Sequence, residues 1–193
     1  LPEDEWIFLW DEKPYNGGNY KVLSPLGKPP VFVRTNSIPR NVVKNEGGRR
    51  MKKIVMGADK SGFPLKEALK EHLIKNGYEV EDLGMQNPDD FQAYYEVAPK
   101  VAKKVQSGEY EKGLLCCGTG MGMAIVANKF KGIYAAVVEG SYAAKMCKVI
   151  NNANILTMGG WKLAPQEAID MLDRWLNTEF LEGFEFKREF LTN

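Results

Sequence analysis

Residues 116–123 read Cys116-Cys117-Gly118-Thr119-Gly120-Met121-Gly122-Met123, two thiols followed by glycines at alternate positions. Glycine admits positive φ and lets backbone approach a ligand closely. Free N–H groups in such a turn can hold a phosphate, a carboxylate or an enediolate oxygen. A thiol beside such dipoles suits an acid/base or nucleophilic role. A free cysteine is as often a buried small hydrophobe, and spacing alone leaves Cys117 evenly between the two. Cys116 points to the other face of its strand and Cys147 lies within a helix, so both read as core. The loop lacks the Lys–Ser/Thr pair of a P-loop. It also follows the third strand-length run rather than the first, which disfavours a dinucleotide site.

A second loop, "GADKSGFPLK" (57–66), carries Asp59 beside Lys60. A carboxylate at a strand end can bind hydroxyls or exchange protons, or it can cap the helix that begins near Gly62 or Phe63. Asn151, Asn152 and Asn154 in "INNAN" can bind sugar hydroxyls or satisfy turn backbone. The chain has a single histidine, His72, and its place within a helix reads as semi-buried packing.

Regular elements must position these groups. From Met51 onward, apolar runs of strand length ("KKIVMG", "YEVEDLG", "KGLLCCG", "GIYAAVV", "NILTMGG") alternate with helical segments. Gly77 stops the first helix, Ser141 caps the fourth and Pro165 enters the first turn of the fifth. Strand–helix alternation predicts parallel βαβ units in an open sheet covered on both faces. Ligands bind such sheets at the carboxyl ends of the strands. The site is therefore expected on the loops at 58–63, 117–123, 139–141 and 159–162.

Residues 1–50 differ in character. They are rich in Pro, Gly and Asn, and also carry Trp6, Phe8, Trp10, Tyr15 and Tyr20. "PYNGGNYKV" predicts a hairpin turn, "PLGKPPVFV" a break and a short strand, and "NEGGRR" a joint. That many aromatics disfavours a free tail, so irregular structure packed on the core or on a neighbouring subunit is expected, with the domain boundary at residue 51. Across the chain, 26 basic and 25 acidic side chains leave a net charge of +1. No pull toward nucleic acid or an anionic membrane follows. Apolar spans of membrane length are lacking, the first residues are acidic, and three cysteines without CxxC spacing fit neither a disulfide framework nor a zinc site. A reducing cytoplasm is the expected setting.

"MKKIVMGADKSGFPLKEALKEHL", "CGTGMGMAIVANK", "NNANILTMGG" and "DRWLNTEF" resemble, in order and spacing, the ribose-5-phosphate isomerase B and galactose-6-phosphate isomerase family. The resemblance covers about 140 residues from Met51 to Arg188. It implies a Rossmann-like α/β/α sandwich with a five-stranded, mostly parallel sheet, to which the N-terminal extension is appended. It implies homodimers or homotetramers with shared active sites. The implied activity is aldose–ketose isomerisation through a cis-enediolate, without metal or organic cofactor. By position, Cys117 resembles the thiolate base, Thr119 the hydroxyl beside it, and Asp59 the aspartate at the substrate's ring-opening end. Some members carry a Glu base where this chain has Met123, and lack the Cys. Gly118, Gly120, Met121, Gly122 and Met123 align with the oxyanion-binding loop, Asn151 with a substrate-binding loop residue, and Tyr94 with a tyrosine of the family.

Departures from the family pattern carry information. Lys60 and Ile150 stand where many members have histidines, and Trp161 stands where they have an arginine. Of the arginines that bind phosphate, Arg188 alone keeps its position. The implied substrate is therefore shifted from ribose 5-phosphate, toward an open-chain tetrose phosphate or a sugar without phosphate. Lys60, Lys162 and Arg188 would serve a weakened phosphate site. The same departures also fit a non-catalytic sugar-binding or regulatory subunit, or one half of a two-chain isomerase.

Overall fold

A computed structural model describes residues 6–8, 14–15, 32–34 and 52–183, and the chain divides into two compact units, Leu1–Arg50 and Met51–Asn193. In the first unit, β1 (Trp6–Phe8) pairs antiparallel with both β2 (Pro14–Tyr15) and β3 (Phe32–Arg34). The short strand expected within "PLGKPPVFV" is β3, and it belongs to a small antiparallel sheet. Main-chain pairing offers a short aromatic and β-branched segment the partners that coil lacks. Pro14 lies on the edge strand β2, as a residue without an N–H must. The expected turn at Asn16–Gly18 and the joint at 45–50 lie outside the described residues.

The second unit is a parallel sheet in the order β5 (Tyr78–Asp82), β4 (Lys52–Ala58), β6 (Gly113–Cys117), β8 (Ile155–Gly159), β7 (Ala135–Val137). Every described pairing in it is parallel. Helices α1 (Phe63–Lys75), α2 (Tyr94–Gln106), α3 (Met121–Ala127) and α4 (Ser141–Asn151) supply the crossovers, and α5 (Pro165–Leu176) follows β8.

Strand periodicity sorts the core into two layers. Ile54, Met56, Leu114, Cys116, Leu156 and Met158 pack with Leu69 and Leu73 of α1, Ala144 of α4 and Trp175 of α5. Val55, Leu115, Cys117 and Ile155 face the other way, toward Val97 and Val101 of α2 and Met123 of α3. Adjacent thiols therefore belong to opposite cores. Cys116 is fully buried, and that burial pushes its thiol far above the ordinary range.

End signals fare unevenly. Gly77 follows the α1 cap Asn76 with φ +79°, the left-handed backbone that glycine supplies. Pro165 is in the first turn of α5. Ser141 does not cap α4: it is the first helical residue, and extended Gly140 takes the cap position without a side-chain bond.

One buried charge braces the sheet edge. Lys66 of α1 is fully buried, with Nζ 2.7 Å from Asp82 Oδ2 and 2.8 Å from Glu67 Oε1. It also donates to the Met85 carbonyl. Carboxylates and a carbonyl around a single ammonium satisfy a group that would otherwise be very costly to bury.

Candidate active site

The strand order reverses between β4 and β6. From β4 the chain moves outward to β5, whereas the later strands lie on the β6 side. A crevice forms at such a switch point because the two outgoing loops diverge to opposite faces. Here those loops are 58–62, after β4, and 117–120, after β6.

The two loops touch. The Asp59 N–H donates to the Cys116 carbonyl at 3.3 Å. A Cβ on Gly62 would fall 2.3 Å from the Cys116 carbonyl and 2.6 Å from the Cys117 nitrogen, so only glycine admits this approach. The loop after β8 closes the other flank. Gly160 N–H donates to the Cys117 carbonyl at 2.8 Å and Trp161 N–H to the Gly118 carbonyl at 3.1 Å. Gly160 also lies so near Ser61 that a Cβ there would come within 2.6 Å of the Ser61 carbonyl oxygen.

Cys117 stands where these loops meet. It ends β6, is 5% exposed, and its Sγ accepts the Gly120 N–H at 3.1 Å. Gly120 has φ +79°, and this left-handed turn aims its N–H back at the sulfur. Thr119 is exposed, and its Oγ1 accepts the Met121 N–H at 3.3 Å. Tyr94, the first residue of α2, lays its ring against Gly122, where a Cβ would meet ring carbons at 2.9 Å. Cys117, Gly118, Thr119, Gly120, Gly122 and Tyr94 are thus gathered in one place.

Asp59 is half-buried and accepts the Gly62 N–H at 3.0 Å. Burial holds its carboxyl above the ordinary value of 3.8, against the opposing pull of the Gly62 and Ser61 N–H groups. It therefore does the capping work of a turn aspartate, on a loop bonded to the Cys116 carbonyl, one residue before Cys117. Lys60 is exposed and has no hydrogen bond or ion pair among the described residues.

Several expected members stand elsewhere. Met123 is fully buried among the α2-side apolar residues. Its position in α3 turns the side chain toward the sheet, so it offers a ligand no side-chain contact. Met121, half a turn earlier, is exposed. Asn151 ends α4, ahead of β8, whereas Cys117 and Gly159 pair at the carboxyl ends of their strands. A five-residue strand of about 13 Å separates the two ends, so one chain does not bring Asn151 to its own crevice. Arg188 lies outside the described residues.

The other asparagines hold backbone. Asn154 accepts the Tyr134 N–H at 2.9 Å and donates to the Gly132 carbonyl at 2.8 Å, while Asn152 accepts from Lys148. His72 sits on α1 with Nε2 2.8 Å from Asp173 Oδ1 of α5, and it takes no part in the crevice loops. Trp161 lies on the 159–162 loop, one of those expected to form the site. It stands over Gly118, with ring carbons 2.7 Å from where a Cβ would be, and the Gly159-Gly160 pair before it is the signal for so close a turn. Among the described residues no group of three or more His, Cys, Asp or Glu is placed to hold a metal, and no helix is long and apolar enough to cross a membrane.

Residues 54–190 match the family model for ribose/galactose isomerases. The chain is 52% identical over 140 residues to the 4-deoxy-4-sulfo-D-erythrose isomerase of Clostridium sp. (strain MSTE9), covering 72% of this chain and 88% of that protein. It is 42% identical over 130 residues to D-erythrulose-4-phosphate isomerase 2 of Mycolicibacterium smegmatis, covering 66% and 86%. Among solved structures, ribose-5-phosphate isomerase B of Clostridium thermocellum aligns with a TM-score of 0.66 at 42% identity, over 70% of this chain and 91% of that one.

Proposed function

Because the chain belongs to the ribose/galactose isomerase family and is an aldose–ketose isomerase, we propose that its substrate is a four-carbon sugar with an anionic group at C4. Sulfonate is preferred to phosphate, and Cys117 is the base. One observation carries this assignment. The crevice holds a thiol, a carboxylate and backbone donors but no imidazole, since the sole histidine is engaged with Asp173 on the helices.

Isomerisation through an enediolate needs a base and an oxyanion site. Opening a sugar ring needs further proton carriers. A four-carbon sugar whose C4 bears sulfonate or phosphate has no free O4 to close a furanose, so its carbonyl stays open. A site without histidine suits such a substrate. The similarity to relatives named for 4-deoxy-4-sulfo-D-erythrose and D-erythrulose 4-phosphate points the same way.

In the proposed cycle the Cys117 thiolate takes the C2 proton of the aldose. The C–H electron pair becomes the C1–C2 double bond, and charge moves onto O1. Loop N–H groups not already bonded to Cys117 or Thr119, such as that of Gly122, and the Thr119 hydroxyl bind that oxygen. Asp59 carries the O2 proton to O1, a task suited to a carboxyl that burial draws toward the protonated form. Cys117 then returns its proton to C1, giving the ketose. Lys60, unpaired among the described residues, is the cation for the C4 anion, with Lys162 and Arg188 as further candidates. Lys162 is 2.6 Å from Glu139, which offsets its charge and suits a sulfonate monoanion better than a phosphate dianion.

Asn151 lies too far from Cys117 in one chain, so we assign it to the crevice of a second copy in a homodimer or homotetramer. A two-chain enzyme of unlike subunits is the second possibility that this separation favours. A thiol base and three free cysteines suit a reducing cytoplasm.

The test is solvent-deuterium incorporation at C1 and C2 with purified protein. The substrates are the 4-sulfo tetrose and tetrulose, erythrulose 4-phosphate and ribose 5-phosphate. Exchange into the four-carbon compounds is expected. Exchange into ribose 5-phosphate alone would overturn the four-carbon assignment, and turnover by this chain alone would dispose of the two-chain enzyme.

A further inference from the structure

We infer that Trp161 is a specificity-determining residue, the wall that limits substrate length and lies against the carbon chain beside Cys117. This rests on the four-carbon isomerase proposed above and deepens it.

The indole is 75% exposed, unusual for a large aromatic group that is fixed in place. It is fixed by backbone. Trp161 N–H is bonded to the Gly118 carbonyl, and Gly160 N–H to the Cys117 carbonyl. One ring face covers Gly118, where a Cβ would fall 2.7 Å from Cδ2 and Cε3 and 2.8 Å from Cε2. The other face is open to solvent. Gly118 directly follows Cys117, so the open face begins one residue from the sulfur.

Polar groups frame it on both sides. Lys60 precedes Ser61, whose carbonyl touches Gly160. Lys162 follows Trp161 and pairs with Glu139 from the loop after β7. An apolar plate over Gly118, with Lys162 next in sequence and Lys60 on the neighbouring loop, suits a short ligand with a carbonyl at one end, an anion at the other and few carbons between. In this placement a longer carbon chain meets the ring. The flat face also keeps water off the carbons whose proton is exchanged.

Two variants and two measurements test this. Trp161→Ala is expected to raise KM for the four-carbon substrate about tenfold with little change in kcat. It should shift the ratio of five-carbon to four-carbon kcat/KM at least tenfold toward ribose 5-phosphate. Trp161→Phe, which keeps a plate, should restore most of the four-carbon KM, and because the ring is exposed neither variant should lower Tm by more than a few degrees. Unchanged ratios in Trp161→Ala would overturn the inference while leaving the isomerase assignment intact.

The second measurement works without turnover. Erythrulose 4-phosphate and a four-carbon sulfonate are titrated while indole emission is followed in the unmodified protein and in Trp161→Phe. A saturable change present in the former and lost in the latter supports the wall even if no four-carbon sugar is isomerised. Equal responses in both proteins would overturn it.

Discussion

Gly120 donates its backbone N–H to the sulfur of Cys117 across 3.1 Å, closing a tight loop at the carboxyl end of β6. The bond depends on φ +79° at Gly120, a backbone state that costs an L-residue about 1–2 kcal/mol. A Cβ there would also lie 3.1 Å from the Met158 backbone. Gly120→Ala should therefore lose about 1–2 kcal/mol in chemical denaturation and lose kcat as well, because the sulfur and its donor move apart. Cys117→Ala should keep its fold and lose C1/C2 exchange by roughly 10²- to 10⁴-fold, the usual contribution of a positioned base. Full exchange activity in Cys117→Ala would remove the thiol from the mechanism.

His72 is the one imidazole, and it ties α1 to α5 through Asp173. A half-exposed pair of this kind contributes about 0–1 kcal/mol. His72→Ala should leave kcat/KM within a factor of two and lower stability only slightly. Histidine-directed acylation with diethyl pyrocarbonate should likewise spare activity. Inactivation that disappears in His72→Ala would contradict an imidazole-free site.

Asp82 supports acid stability. Burial would raise its carboxyl, but hydrogen bonds from Lys66 and Lys70, the Lys66 charge and the Gly84 N–H together hold it below its ordinary value of 3.8. A carboxyl lower in the folded than in the unfolded chain adds stability above the unfolded value, and that stability drains away as pH falls through the folded one. Urea midpoints should therefore drop as pH falls below about 4. Asp82→Asn should flatten that limb and cost about 3–5 kcal/mol at neutral pH, because Lys66 is left buried without its closest carboxylate. An equally steep acid limb in the variant would assign it to other groups.

The three thiols should differ in reactivity. Burial pushes Cys147 up to about 11, and pushes the fully buried Cys116 higher. Both then hold little thiolate at pH 8. Iodoacetamide at that pH, read by peptide mass spectrometry, should label Cys117 first, at a rate that substrate slows. Faster labelling of Cys147 would show that α4 opens more readily than its packing implies.

Much of this molecule is written locally. Periods of two and 3.6 residues marked the strands and helices after residue 51, because each element must turn an apolar face to the core. The same alternation separated Cys116 from Cys117, and Gly77 and Pro165 acted where short-range backbone geometry requires them. The spacing of Cys117, Gly118 and Gly120 after β6 fixed a loop at a strand end. Tertiary structure decided the rest. Which loops meet depends on strand order, and β5-β4-β6-β8-β7 is a long-range outcome of packing. That order brought Asp59, Gly62 and Gly160 against Cys116 and Cys117, set Trp161 over Gly118, and carried Asn151 to the far end of the sheet. Met123 turned inward because a helix's burial face is chosen by what lies beneath it, and Lys66 became a buried brace because Asp82 came to meet it. Local sequence determines elements and the chemistry they carry; only the assembled sheet determines which of those groups share a crevice.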